Sequence, residues 1–118
     1  MKRDALRPTE LGVIIDPENE IAFPSVAIWE LQIKWEKRFV SGVRKGEANP
    51  EDVLDYLREV EIPSVDLTCE LAVASLREPI IHRDPFDALL LTIAQETGRK
   101  LLTRDEKLRG HPLAYHVD

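Results

Sequence analysis

Residues 79 to 91, PIIHRDPFDALLL, constrain the fold more than any other stretch, because an extended apolar pair, a polar turn and a helix start follow one another without a break. Asp84 stands directly before Pro85, where a carboxylate can accept orphan N–H groups and proline presets the first helical residue. Asp87 then falls in the first turn, at the positive end of the helix dipole. This helix is expected to end near Gly98, followed by a strand at 100–103, a short helical turn at 104–107 and a final strand at 113–117. Strands that alternate with helices in this way build parallel sheets.

The same alternation runs upstream. Pro8 opens a short helix over 8–15, Asp16-Pro17-Glu18-Asn19 reads as a turn, and Ile21-Ala22-Phe23 as a strand stopped by Pro24. Ser25 caps a helix over about 26–39, with Val26, Trp29 and Ile33 in one apolar row and Ile28, Leu31, Trp35 and Phe39 in another. Trp29 is expected in the core. Glu30, Lys34 and Lys37 form the polar row between, so Glu30 stands beside the core. A loop spans 41–49, and Asn49 followed by Pro50, Glu51 and Asp52 starts a helix that runs to about Val60. A strand at 62–67 tolerates Pro63 as an edge strand would, and Thr68 caps a short helix to about Arg77. With no repeat and no break in composition, we expect one α/β domain over residues 1–118, with a mainly parallel sheet.

Composition narrows the function. A chain of 118 residues, 43% hydrophobic, supports one core without a large buried cofactor cavity. Its five glycines form neither GxGxxG nor GxxxxGK[ST], which removes the usual cradles for NAD and ATP. One cysteine, Cys69, excludes an internal disulfide and fits a reducing cytoplasm. The absence of a long apolar run points away from the membrane. The net charge of −6 leaves nucleic-acid contact to local patches. Residues 34–45 carry five cations against Glu36, and 99–109 five against Asp105 and Glu106, whereas 47–66 carry seven acids against Arg58.

In parallel α/β sheets, ligands bind beyond the carboxyl ends of the strands. That rule selects Glu30, Asp84, Asp87 and Asp105. Hard carboxylate oxygens without cysteine or HExxH suit Mg²⁺ or Mn²⁺, ions that polarise phosphodiesters and activate water. Each acid also has an ordinary use. Asp84 is foremost a helix cap, Asp87 suits the third position of its helix, Glu30 can pair with Lys34, and Asp105 can cap the turn at 106–109. His82 sits in the polar turn and reads as solvated, with His111 and His116 weaker still as ligands.

Together the segments DPENEIAFPSVAIWELQIK, HRDPFDALLLTIAQ and LLTRDEKL resemble the PIN-domain toxins of the VapC type, in order and in spacing, from about Leu6 to Val117. The resemblance implies a three-layer α/β/α fold and a Mg²⁺- or Mn²⁺-dependent ribonuclease of a toxin–antitoxin pair. It places the family's second, third and fourth acids on Glu30, Asp87 and Asp105 and its hydroxyl position on Thr103, and it makes Asp84 a cap. In such a nuclease, Arg83 or Arg104 would steady the RNA backbone. It also implies a small antitoxin partner and a homodimer.

The departures lie mainly at the start. Family members open with an apolar strand ending in aspartate; this sequence has neither, and Asp4, in a polar context, does not take the role. Because that strand is normally central, its loss would leave two neighbours with unpaired backbone groups. We therefore expect either a strand upstream of Met1 or a repair by rearrangement, exchange or a partner. Pro24, Ala27 and Ala88 replace residues frequent in the family. Two rival readings follow: a PIN-like module that binds RNA or an antitoxin without cutting, and a set of acids that are all caps and surface charges.

Overall fold

The computed structural model describes residues 16, 18–41, 49–80 and 84–116. The expected helix over 8–15, most of the loop over 41–49, His82, Arg83 and the end of the last strand lie outside them. In chain order the elements are β1 (Phe23–Pro24), α1 (Ser25–Ser41), α2 (Pro50–Glu59), β2 (Ser64–Val65), α3 (Cys69–Val73), α4 (Pro85–Glu96), β3 (Leu101–Leu102), a 3-10 turn (Glu106–Leu108) and β4 (Ala114–Tyr115). This is the expected α/β alternation, with two parallel two-stranded sheets, β1 with β2 and β3 with β4. The chain divides into an N-terminal unit, Met1–Asp66, and a C-terminal unit, Leu67–Asp118.

In the N-terminal unit, Phe23 lies opposite Ser64 and Pro24 opposite Val65. The strand thus includes the proline expected to stop it. Phe23 N–H donates to the Pro63 carbonyl at 3.0 Å. Successive N–H groups alternate sides along a strand, so the donor Pro24 lacks would have pointed away from β2, and no rung of the pairing is lost. The preceding turn forms as read, with Asn19 N–H donating to the Asp16 carbonyl and Glu18 N–H to its carboxylate.

Helix α1 starts at Ser25 itself, not one residue later. Val26 is buried, but Trp29 is 57% exposed, against the expectation that it joins the core. Two strands spaced about 4.8 Å apart make a narrow floor, and a broadly apolar helix cannot bury every row on it. Helix α2 packs against α1 and follows its sequence signals closely. The Asn49 side chain accepts from Glu51 N–H at 3.0 Å, and Pro50, Val53 and Leu57 form its buried stripe. At its end Glu61 N–H donates to the Arg58 carbonyl and Ile62 N–H to that of Leu57, a Schellman closure that holds Glu61 at φ 60°.

In the C-terminal unit, Leu101 lies opposite Ala114 and Leu102 opposite Tyr115. Helix α3 is capped by Thr68, which accepts from Leu71 N–H, but it ends at Val73 instead of near Arg77. Gln95 of α4 takes over the segment beyond: its amide donates to the Ser75 carbonyl at 3.0 Å and accepts from Arg77 N–H at 2.9 Å. Helix α4 holds the four consecutive buried residues Leu91, Thr92, Ile93 and Ala94, so this turn is buried around most of its circumference. The Thr92 hydroxyl is satisfied by the Ala88 carbonyl at 2.7 Å. Gly98, at φ 68°, closes the helix with bonds from Gly98 N–H to the Gln95 carbonyl and from Arg99 N–H to that of Ala94. The chain then turns back into β3, which packs on α4. No helix among the described residues is long and apolar enough to cross a membrane.

Candidate functional site

Asp84 is a helix cap. Its Oδ1 accepts from Phe86 N–H at 2.9 Å and from Asp87 N–H at 3.5 Å, satisfying two orphan donors of α4. Asp87 follows in the first turn, half-buried. On the other side of the reversal at Gly98, Asp105 follows β3 and caps the 3-10 turn, its Oδ1 accepting from Lys107 N–H at 3.0 Å. The Asp105 N–H donates to Thr103 Oγ1 at 3.0 Å, and its carbonyl accepts from Leu108 N–H at 3.1 Å. Thr103 itself is tied to β4 through its N–H, which donates to the Tyr115 carbonyl at 3.1 Å. Asp105 is half-buried, and among the described residues its second carboxylate oxygen has no hydrogen-bond partner.

The capping expectation for Asp105 therefore holds, and the cap uses one oxygen, which leaves the other able to meet a ligand. Thr103, expected to meet substrate, spends an oxygen lone pair on the backbone of Asp105, although its hydroxyl proton can still donate. Arg104 is exposed between them, and Arg83 lies outside the described residues. Asp84, Asp87, Thr103, Arg104 and Asp105 all belong to the C-terminal unit. Because the chain reverses between α4 and β3, the N-terminal end of that helix and the carboxyl end of that strand face the same way.

Glu30 belongs to the N-terminal unit, half-buried on α1, with its Oε1 3.3 Å from the Lys34 ammonium. That pair stays open to solvent through Lys34 and contributes only a few tenths of a kcal/mol, about 0.2–0.5. Among the described residues no three His, Cys, Asp or Glu side chains are gathered as a metal site. The donor chemistry of Asp87 and Asp105 nonetheless fits Mg²⁺ or Mn²⁺, since magnesium is commonly held by one or two carboxylates with water filling the remaining positions. The N-terminal unit has a separate cavity of about 410 Å³ with an apolar lining of Phe23, Ile28, Leu54 and Ile62 and a polar one of Ser25, Ser64, Arg58 and Asp66. Glu30 does not line it, and one acid beside one arginine gives it no metal-binding character.

Two residues set aside in the sequence prove to be structural. His111 Nε2 lies 2.6 Å from the Glu78 carbonyl while its Nδ1 accepts from Leu113 N–H, and His116 Nε2 lies 2.8 Å from the Asp105 carbonyl. Local pattern carries no sign of either bond, because the partners are 33 and 11 residues away. The signal available was the parallel register, which sets the residue after β4 beside the turn after β3. The sequence model of the family described as PIN domain matches residues 3–112, across both units. No curated protein and no solved structure gives a match.

Proposed function

The chain belongs to the PIN domain family, a fold that generally serves metal-dependent nucleases, and from that premise we propose that it is an endoribonuclease toxin of a toxin–antitoxin pair. The observation that carries the reading is Asp105 beyond the carboxyl end of β3, with one carboxylate oxygen unspent, in the same unit as Asp87 at the start of α4. Asp87 and Asp105 would hold Mg²⁺ or Mn²⁺, and the family resemblance adds Glu30 as a third acid. A divalent ion bound there would polarise a phosphodiester and lower the pKa of attacking water. The chain's own part is to keep the acids in place and to meet the RNA. Capping ties the Asp105 carboxylate to the 3-10 turn, Asp84 holds the first turn that carries Asp87, and Arg104 supplies a cation for the phosphate backbone. The partners in this reading are RNA, a small antitoxin and a second copy of the chain, acting in the cytoplasm as one domain.

The test is cleavage of end-labelled RNAs with Mn²⁺ or Mg²⁺, with chelator, and with Asp87→Asn. We expect metal-dependent cutting that falls at least ~100-fold in the variant, the loss typical when a charge-stabilising group is removed. Unchanged cutting by Asp87→Asn rejects the assignment. A second reading, a PIN-like module that binds without cutting, is favoured by the lack of an assembled trio of ligands among the described residues. Measurable Mn²⁺ affinity without turnover marks that reading.

A further inference from the structure

We propose that His116 is a positioning residue for Asp105, an inference that rests on the reading of Asp105 as a metal ligand. Every backbone polar group of Asp105 is engaged: its N–H by the Thr103 hydroxyl, and its carbonyl by Leu108 N–H and by His116 at 2.8 Å. Two of these partners, Thr103 and Leu108, come from the same turn. His116 alone comes from another element, directly after β4, and so fixes the turn to the sheet. A carbonyl can only accept, so the His116 Nε2 carries the proton and donates it. Its half-buried ring makes this tie harder for water to replace than a surface contact.

The parallel register explains why this residue reaches. Leu102 pairs with Tyr115, and Thr103 N–H donates to the Tyr115 carbonyl, so the chains leave β3 and β4 side by side. His116 then closes the mouth of the turn from the β4 side, while Lys107 N–H holds the Asp105 Oδ1 from within. Backbone and one carboxylate oxygen are thereby fixed, which leaves the second oxygen a single direction. This is what a metal ligand needs from the residues behind it, and loss of such support typically weakens metal binding ~10–100-fold.

The test compares His116→Phe, which keeps a ring and loses the donor, with His116→Gln, whose amide nitrogen reaches a similar place, and with Asp105→Asn. Two quantities are read on the full chain: Mn²⁺ affinity by calorimetry, and hydrogen exchange of the Lys107 amide in metal-free protein. His116→Phe should bind Mn²⁺ about 10-fold more weakly or worse and exchange the Lys107 amide faster, whereas His116→Gln should restore both. If His116→Phe does not fold, His116→Asn, whose amide stops one bond short, replaces it. Wild-type Mn²⁺ affinity in His116→Phe, while Asp105→Asn loses it, overturns the positioning role and leaves the metal site standing. Equal loss in the Gln and Phe variants also overturns it, since no donor is then at work. Wild-type affinity in Asp105→Asn removes the metal-site reading and this proposal with it.

Discussion

The chain builds the same helix-to-strand passage twice, from α2 into β2 and from α4 into β3, and the two differ in instructive ways. Both helices start with a capping side chain followed by proline, Asn49-Pro50 and Asp84-Pro85, and both end in a Schellman closure. At the left-handed position the first passage holds Glu61 and the second Gly98, at φ 60° and 68°. The next residue, which packs back on the helix in this motif, is Ile62 in the first and Arg99 in the second. Arg99 pays for its place with a buried Nε that has no hydrogen-bond partner among the described residues. Closure is therefore set by backbone hydrogen bonds, and side chains adjust its strength. Burial differs more. Helix α2 shows one stripe to the core, whereas α4 buries a full turn, Leu91 to Ala94.

The largest difference should appear in the cores. Leu91 is fully buried and Leu57 is 7% exposed at the edge of its stripe. Leu91→Ala should lower unfolding free energy by about 3–5 kcal/mol and Leu57→Ala by about 2–3 kcal/mol. Urea midpoints measure both, and equal losses would break the contrast drawn between the helices. A smaller effect is expected at the closures. A Cβ added at Gly98 meets nothing within 4 Å, so Gly98→Ala tests backbone strain without a clash and should cost about 1 kcal/mol. The smallest effect has the opposite sign: Glu61→Gly should raise stability by a few tenths, up to about 1 kcal/mol, because it relieves that conformation in the other passage. A loss at Glu61→Gly would mean that its side chain contributes more than its backbone strains.

The comparison also shows what a sequence discloses. Caps at Asn49, Thr68 and Asp84 were legible because a side-chain oxygen, a helix start and proline or an acid stand within a few residues of one another. The helix end at Gly98 was legible for the same local reason. The early end of α3 was not, since it depends on Gln95, 20 residues from Ser75. The inclusion of Pro24 in β1 was also hidden, because it depends on which edge faces β2. Asp84, Asp87, Asp105 and Glu30 were each selected as candidates by residue type and position. What residue type could not supply was the division of labour at Asp105, one oxygen to the turn and one left over, or the histidine that grips its carbonyl from β4.

Gln95 has a consequence of its own. Its side chain presents a carbonyl and an N–H in one plane, as a peptide group does, and offers them to Ser75 and Arg77 as a neighbouring strand would. A helix thus carries a single rung of sheet on its surface, and the segment at 75–77 is paired although no strand among the described residues lies beside it there. That rung is chemically perishable. Hydrolysis of the amide to a carboxylate would remove the donor and set an anion against the Ser75 carbonyl, turning a bond into a repulsion. The segment keeps other ties, His111 Nε2 at the Glu78 carbonyl and Arg77 4.0 Å from Glu96, so this rung is the part of its anchorage that one hydrolysis would remove.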